Sequence, residues 1–174
     1  MPSWSIDTAH SEIGFSIRHM MFAKVRGSFT RWSGTVEGDE GGVLSSVTAE
    51  IAVDSIDTRE AQRDGHLKSP DFFDAASFPT MSFRSTGLRG DLRGSFQVDG
   101  ELTIRGNTRP VTLDVERTGG GKDPWGNTRV GYRATARISR ADFGLTWNAA
   151  LELGGVLVGE QVDIEIETQL VRQG

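Results

Sequence analysis

The chain has 174 residues, no cysteine, and 24 acidic against 19 basic side chains, for a formal net charge of −5. That length suits one domain of about 100–200 residues whose core needs no staples, and the missing cysteine excludes a disulfide framework, a thiolate nucleophile and a Cys-ligated metal. The charges are spread along the chain, which excludes the basic stripe of a nucleic-acid binder and the polybasic helix of a membrane-surface anchor.

The start, Met1-Pro2-Ser3-Trp4-Ser5-Ile6-Asp7, lacks a charged lead followed by an apolar run, so no secretory signal is read there. No stretch approaches the ~18 consecutive apolar residues of a membrane span. A cytoplasmic location and a single domain over residues 1–174 are therefore expected. The dominant pattern is period-two alternation, the mark of strands with one buried face. Trp4–Asp7 reads as a short first strand. Glu12–Arg18 and Val25–Val36 follow, then a loop at Gly38–Gly42 and a strand at Ser46–Val53.

A segment of about 26 residues comes next, too long for a structureless loop. Asp57 is a fair helix N-cap with Glu60 three residues on, and the helix is expected to run to about Leu67. Ser69-Pro70 breaks it, and Asp71-Phe72-Phe73-Asp74 can add a turn, giving one short helical insertion near residues 58–74. Strands resume at Thr80–Thr86, Gly94–Arg105 and Thr108–Arg117. Gly106-Asn107 suits a two-residue turn with positive φ at its first position. That turn sets Leu102 opposite Val111, Gly100 opposite Leu113 and Val98 opposite Val115. Phe96, Val98, Leu102 and Ile104 keep one parity through Gly100, which favours a continuous strand with a glycine bend. Gly119–Pro124 reads as a flexible hairpin loop. Arg129–Ile138 then alternates with Val130, Tyr132, Ala134, Ala136 and Ile138 on one face, and Val162–Leu170 alternates apolar or Thr with acidic or amide residues.

About eight antiparallel strands with a charged outer face predict a sheet wet on one side, and closure into a barrel would remove its edges. Such a barrel is just wide enough to be filled by side chains or to hold one small ligand. The inward faces mix large residues (Phe15, Ile17, Ile51, Phe83, Phe96, Tyr132) with small ones (Ala49, Gly100, Ala134, Ala136). From these residues alone a filled core and a cavity stand about even. Strands of about twelve residues would rise ~30 Å along a barrel axis, a shape suited to an extended hydrocarbon chain.

Several pieces occur together in order: Trp4-x-Ile6-Asp7-x-x-His10-Ser11-x-Ile13-x-Phe15; Arg18-His19-Met20; Val25-x-Gly27-x-Phe29; Ser55-Ile56-Asp57-Thr58; Arg63-Asp64-x-His66-Leu67; Asp71-Phe72-Phe73; Phe78-Pro79; Gly100-x-Leu102-Thr103-Ile104-Arg105-Gly106; and Arg140-x-Asp142-Phe143-Gly144. In this the chain resembles the YceI-like family of polyisoprenoid-binding proteins over nearly its whole length. The resemblance implies an extended eight-stranded lipocalin-like antiparallel β-barrel with an elongated apolar cavity. It also implies an isoprenoid lipid, a polyprenyl phosphate or a quinone tail, bound for transport or storage. No cofactor is required on that reading, and a bound isoprenoid lipid is expected. The partners expected are a long-chain isoprenoid or other amphiphile, with no nucleic acid and no membrane span, and a homodimer is left open.

The expected lining is Phe15, Ile17, Phe29, Val36, Ile51, Val53, Met81, Phe83, Leu102, Val111, Leu113 and Tyr132. Met20, Met21 and Phe22 are placed at one end, where thioethers adapt to irregular ligands, and Phe72 and Phe73 at the other. Arg18, His19, Arg105 and Arg140 are the candidates for a phosphate or quinone head group, since Arg suits bidentate phosphate contact. Asp7, His10 and Ser11 do not make a triad on an extended segment, and no G-x-S-x-G elbow occurs. Asp7, Ser11 and Asp64 read as partners of backbone groups, the three histidines as hydrogen-bonded structural residues. No metal-ligand spacing occurs. A binding protein, not an enzyme, is expected; the competing readings are a hydrolase or isomerase acting on an amphiphile in the same cavity and a filled barrel acting through its surface.

Overall fold

The computed structural model describes residues 3–19, 23–148 and 158–173. The strands are β1 (Ser3–Ile6), β2 (Glu12–His19), β3 (Ala23–Phe29), β4 (Trp32–Gly38), β5 (Leu44–Ala52), β6 (Ile56–Asp57), β7 (Thr80–Gly90), β8 (Ser95–Ile104), β9 (Asn107–Lys122), β10 (Thr128–Ser139) and β11 (Val158–Arg172), with one helix, α1 (Ala61–Lys68). Neighbours pair antiparallel in the order β1-β4-β5-β7-β8-β9-β10-β11, and β1 returns to β11. The result is a closed eight-stranded all-β barrel, which leaves those strands no free edge. β11 pairs with β1 near Leu170 and with β2 from Val162 to Glu167, so β1 and β2 act as one strand broken at Thr8–His10. The Asp7 carboxylate caps that break by accepting from the Ala9 N–H.

Chain order alternates the two ends of the barrel. One end holds the β4–β5, β7–β8 and β9–β10 turns. Trp4, Leu44, Phe96, Val130, Tyr132 and Leu170 pack there as a floor. Two hydrogen bonds fix it: Trp4 Nε1 donates to Asp39 O at 3.1 Å, and the Tyr132 hydroxyl donates to Gly42 O. The opposite end carries the insertion between β5 and β7, the β8–β9 turn and Arg140–Phe143. Its apolar cluster is centred on Phe29, Ile56, Phe72, Phe143 and Leu145.

Three local expectations are corrected. The β8–β9 turn is Arg105-Gly106, with φ of 51° and 73°, and not Gly106-Asn107. Val98 thus opposes Leu113, Gly100 opposes Val111 and Leu102 opposes Arg109. Positive φ at both central positions defines the hairpin turn that matches strand twist. The slip is two residues, and side-chain period is two, so the inward face is unchanged. Second, Gly119, Gly120 and Gly121 are not a loop but lie in β9, opposite Gly131, Val130 and Arg129. The turn lies beyond them, because the Asp123 carboxylate accepts from the Trp125 and Asn127 N–H groups at 2.9 and 3.0 Å. Third, α1 starts at Ala61, not after Asp57. Asp57 ends β6 and accepts from the Arg59 N–H, whose left-handed φ of 65° interrupts any helix there. Ser69 ends the helix, with its hydroxyl on His66 O.

Candidate functional site

The barrel encloses a cavity of about 360 Å³, within the ~300–1,000 Å³ usual for small-molecule sites. On β11 alone its wall runs through Val162, Ile164, Ile166, Thr168 and Leu170. That stretch spans about 26 Å of strand at ~3.3 Å per residue, or about 20 Å along an axis tilted ~40°. The wall is almost wholly aliphatic and aromatic. Its open volume comes from small inward residues, Ala49 and Ala134, beside large ones. Gly100 serves the same end: a Cβ there would stand 2.4 Å from Phe83 Cζ, so its absence lets the Phe83 ring lie across the β8 backbone.

Phe15, Ile17, Phe29, Val36, Ile51, Phe72, Phe73, Met81, Phe83, Leu102, Val111, Leu113 and Tyr132 all line the cavity, as does the buried Arg140, while Arg18 borders it from the exposed face of β2. Val53 does not. It is buried in the Val53–Ser55 turn, where its N–H donates to Pro79 O, because the chain has already left the sheet after Ala52. Arg105 does not face it either. Its place on the hairpin turn points the guanidinium outward along the barrel rim, to Phe72 O at 3.0 Å and Gly144 O at 3.4 Å. The His19 side chain, Met20, Met21 and Phe22 lie outside the described residues. Phe72 and Phe73 sit at the barrel end where β2 meets β3, and not at the far end, because the insertion leaves β5 at that end.

Arg140 is buried yet, among the described residues, paired with no carboxylate. Its Nε donates to Gly159 O at 2.7 Å, Nη1 to Leu145 O at 2.7 Å and Trp147 O at 2.8 Å, and Nη2 to Val158 O at 3.2 Å. Burial lowers its pKa from the usual arginine value. Four carbonyls occupy most of its donors, so it ties the Leu145–Trp147 segment to β11 at this end of the cavity.

Arg63, His66 and Leu67 also line the cavity, from one face of α1, together with Trp147. Their i, i+3, i+4 spacing was the available signal, since such residues share a helix face. Trp147 had none, because its placement depends on contacts far along the chain. The His66 ring meets Trp147 and Phe72 edge-on, at 4.7 and 5.1 Å between centroids, and its Nε2 bonds Asp71 Oδ2 at 2.9 Å. Asp7, His10 and Ser11 stay apart from the cavity. His10 bonds Asp7, while the Ser11 hydroxyl pairs with Thr168 Oγ1 and accepts from the Gln169 N–H. Among the described residues no group of three or more His, Asp or Glu could hold a metal ion. Nor is any helix among them long and apolar enough to cross a membrane.

A closed up-and-down antiparallel barrel around an apolar cavity defines the lipocalin-like class of binding folds. The model of the YceI-like domain matches residues 4–170, and the chain belongs to that family. It is 38% identical over 171 residues to a UPF0312 protein of Staphylococcus aureus, covering 97% of each chain. A UPF0312 protein of Vibrio cholerae is 36% identical over 143 residues, 80% of this chain and 76% of that one. Among solved structures, the Campylobacter jejuni YCEI protein superposes with a TM-score of 0.79 at 27% identity, covering 97% of this chain and 96% of that one. A polyisoprenoid binding domain from Saccharophagus degradans superposes with a TM-score of 0.69 at 15% identity, covering 98% of both, a likeness of fold.

Proposed function

We propose that this protein binds the isoprenoid tail of a long-chain amphiphile inside the barrel and acts as its carrier or store, without chemistry on the ligand. The observation that carries this reading is the shape and character of the cavity. It is elongated, apolar, floored by Trp4, Leu44 and Tyr132, and bounded at the other end by aromatic and basic residues. The YceI-like membership and the polyisoprenoid-binding structural neighbour support it.

Each buried CH₂ contributes ~0.8 kcal/mol, so one five-carbon unit would contribute up to about 4 kcal/mol. Several units would exceed the observed ceiling near −18 to −21 kcal/mol, and ordering of the chain offsets part of the sum. Affinity therefore comes readily from tail length, and release is the harder step. The test is lipid extraction of the purified protein followed by mass spectrometry, with uptake of a polyprenyl phosphate and a long-tailed quinone by delipidated protein. A co-purifying isoprenoid, or saturable uptake, is expected. Protein that is clean and takes up neither compound would end the proposal. Ala134→Phe, which fills the wall near the floor, should weaken long tails at least about tenfold and leave short ones bound.

A further inference from the structure

The cavity wall carries its charges at one end only. Its ionisable wall residues are Arg18, Arg63, His66 and Arg140 (apart from the deep-lying Tyr132), all basic and all at the α1 end, and no Asp or Glu lines it among the described residues. They form a continuous rim. Arg140 donates to Gly159 O, and a Cβ on Gly159 would stand 3.2 Å from Arg18 Cβ. Arg140 also holds Trp147 O, the Trp147 ring meets His66, and His66 lies one turn from Arg63 on α1.

The arginines are not equivalent. Arg140 has most of its donors on backbone carbonyls. Arg63 has its Nε on Thr58 Oγ1 at 2.8 Å and its Nη2 on Thr58 O at 2.8 Å. Those two bonds fix the guanidinium and leave Nη1 without a partner among the described residues. Among the described residues no ion pair joins it to the neighbouring carboxylate: Asp64 is turned to the Thr58 N–H and hydroxyl. Asp71 is on His66. A preoriented guanidinium edge beside an apolar cavity is a poor neighbour for an alkyl chain and a good one for an anion, since both carboxylate and phosphate accept such a fork.

We infer that Arg63 is a specificity-determining residue that selects an amphiphile with an anionic head over one with a neutral head, the tail running from α1 toward Tyr132. This rests on the tail-binding reading above and decides between the head groups it leaves open. His66 and Trp147 flank the head, and Arg140 holds the wall behind it.

The experiment uses three ligands with one geranylgeranyl tail and a phosphate, carboxylate or alcohol head, titrated into delipidated protein and followed by tryptophan fluorescence. Both anions are expected to bind at least about tenfold more tightly than the alcohol. Arg63→Gln should erase that difference by weakening the two anions far more than the alcohol. Arg63→Lys, which keeps the charge but not the fork, should retain part of it. The preference should also shrink as salt is raised. The order of phosphate and carboxylate names the source of the anion. Equal affinity of all three for the wild type overturns the inference and leaves the tail site standing. So does an Arg63→Gln loss shared by the alcohol, which would mark a purely structural clasp on Thr58. No uptake of any of the three removes both readings.

Discussion

Arg129 shows how one side chain secures the barrel seam. Its Nη1 donates to Asp7 Oδ2 at 2.7 Å and its Nε to Asp123 Oδ2 at 2.8 Å, joining the end of β1 to the β9–β10 turn. The Arg129 bonds, with His10 as a second partner of Asp7, hold both carboxyls at about 2, below the ordinary 3.8. A folded-state pKa below the unfolded one adds stability that is present above about pH 4 and is lost as pH falls toward 2. Melting temperature measured from pH 7 to pH 2 should therefore fall steeply between about 4 and 2. Arg129→Met should lower the neutral plateau and flatten that limb; an unchanged acid limb would remove the assignment. At Gly100 the constraint is steric. Gly100→Ala sets a methyl against the Phe83 ring and 2.7 Å from Arg84 O, and should cost about 1–3 kcal/mol by chemical denaturation. The same change at Gly119, with nothing within 4 Å of the added Cβ, is the control.

Among the elements, α1 is the least secured. It buries none of its residues. The Thr58 clasp, the His66–Asp71 pair and the aromatic contacts of His66 hold it against the cavity. Few buried apolar contacts mean a low local opening free energy. Amide exchange in α1 should be faster than in β8 and β9, and filling the cavity should slow it, because Arg63, His66 and Leu67 face the ligand. Equal protection of α1 and β8 in the empty protein, or no change on filling, would show that the helix is neither weakly held nor in contact with the ligand. The elements also show how far alternation reaches. β10 and β11 were readable because Val130 to Ile138 and Val162 to Leu170 place every second residue inward. The β8–β9 register was missed by two because Arg105, a residue with a side chain, takes the left-handed conformation that composition reserves for glycine.

For the whole molecule, occupancy and stability are linked. A ligand that binds only the folded barrel, at one hundred times its Kd, adds about 2.7 kcal/mol. For a chain of this size that raises the melting temperature by about 5–10 °C. Delipidated protein should melt lower than protein as purified by about that amount, and adding a long isoprenoid should restore it. A melting point indifferent to extraction and to added lipid would contradict a filled tail site.

The alternation of apolar and charged residues determined, by itself, that the chain makes a one-sided antiparallel sheet and, within its regular strands, which side chains point inward. Backbone pleating imposes that, and it needs no partner. Only the tertiary structure decided what the inward face encloses. Closure of β1 onto β11, the fold-over of the 53–79 segment and the meeting of Arg63, His66 and Trp147 join residues distant in the chain. No local pattern encodes such contacts, because they arise from packing between elements. The same holds for Arg140: the motif marked it, but only the four carbonyls around it show that it braces the wall, while Arg63 keeps donors to offer.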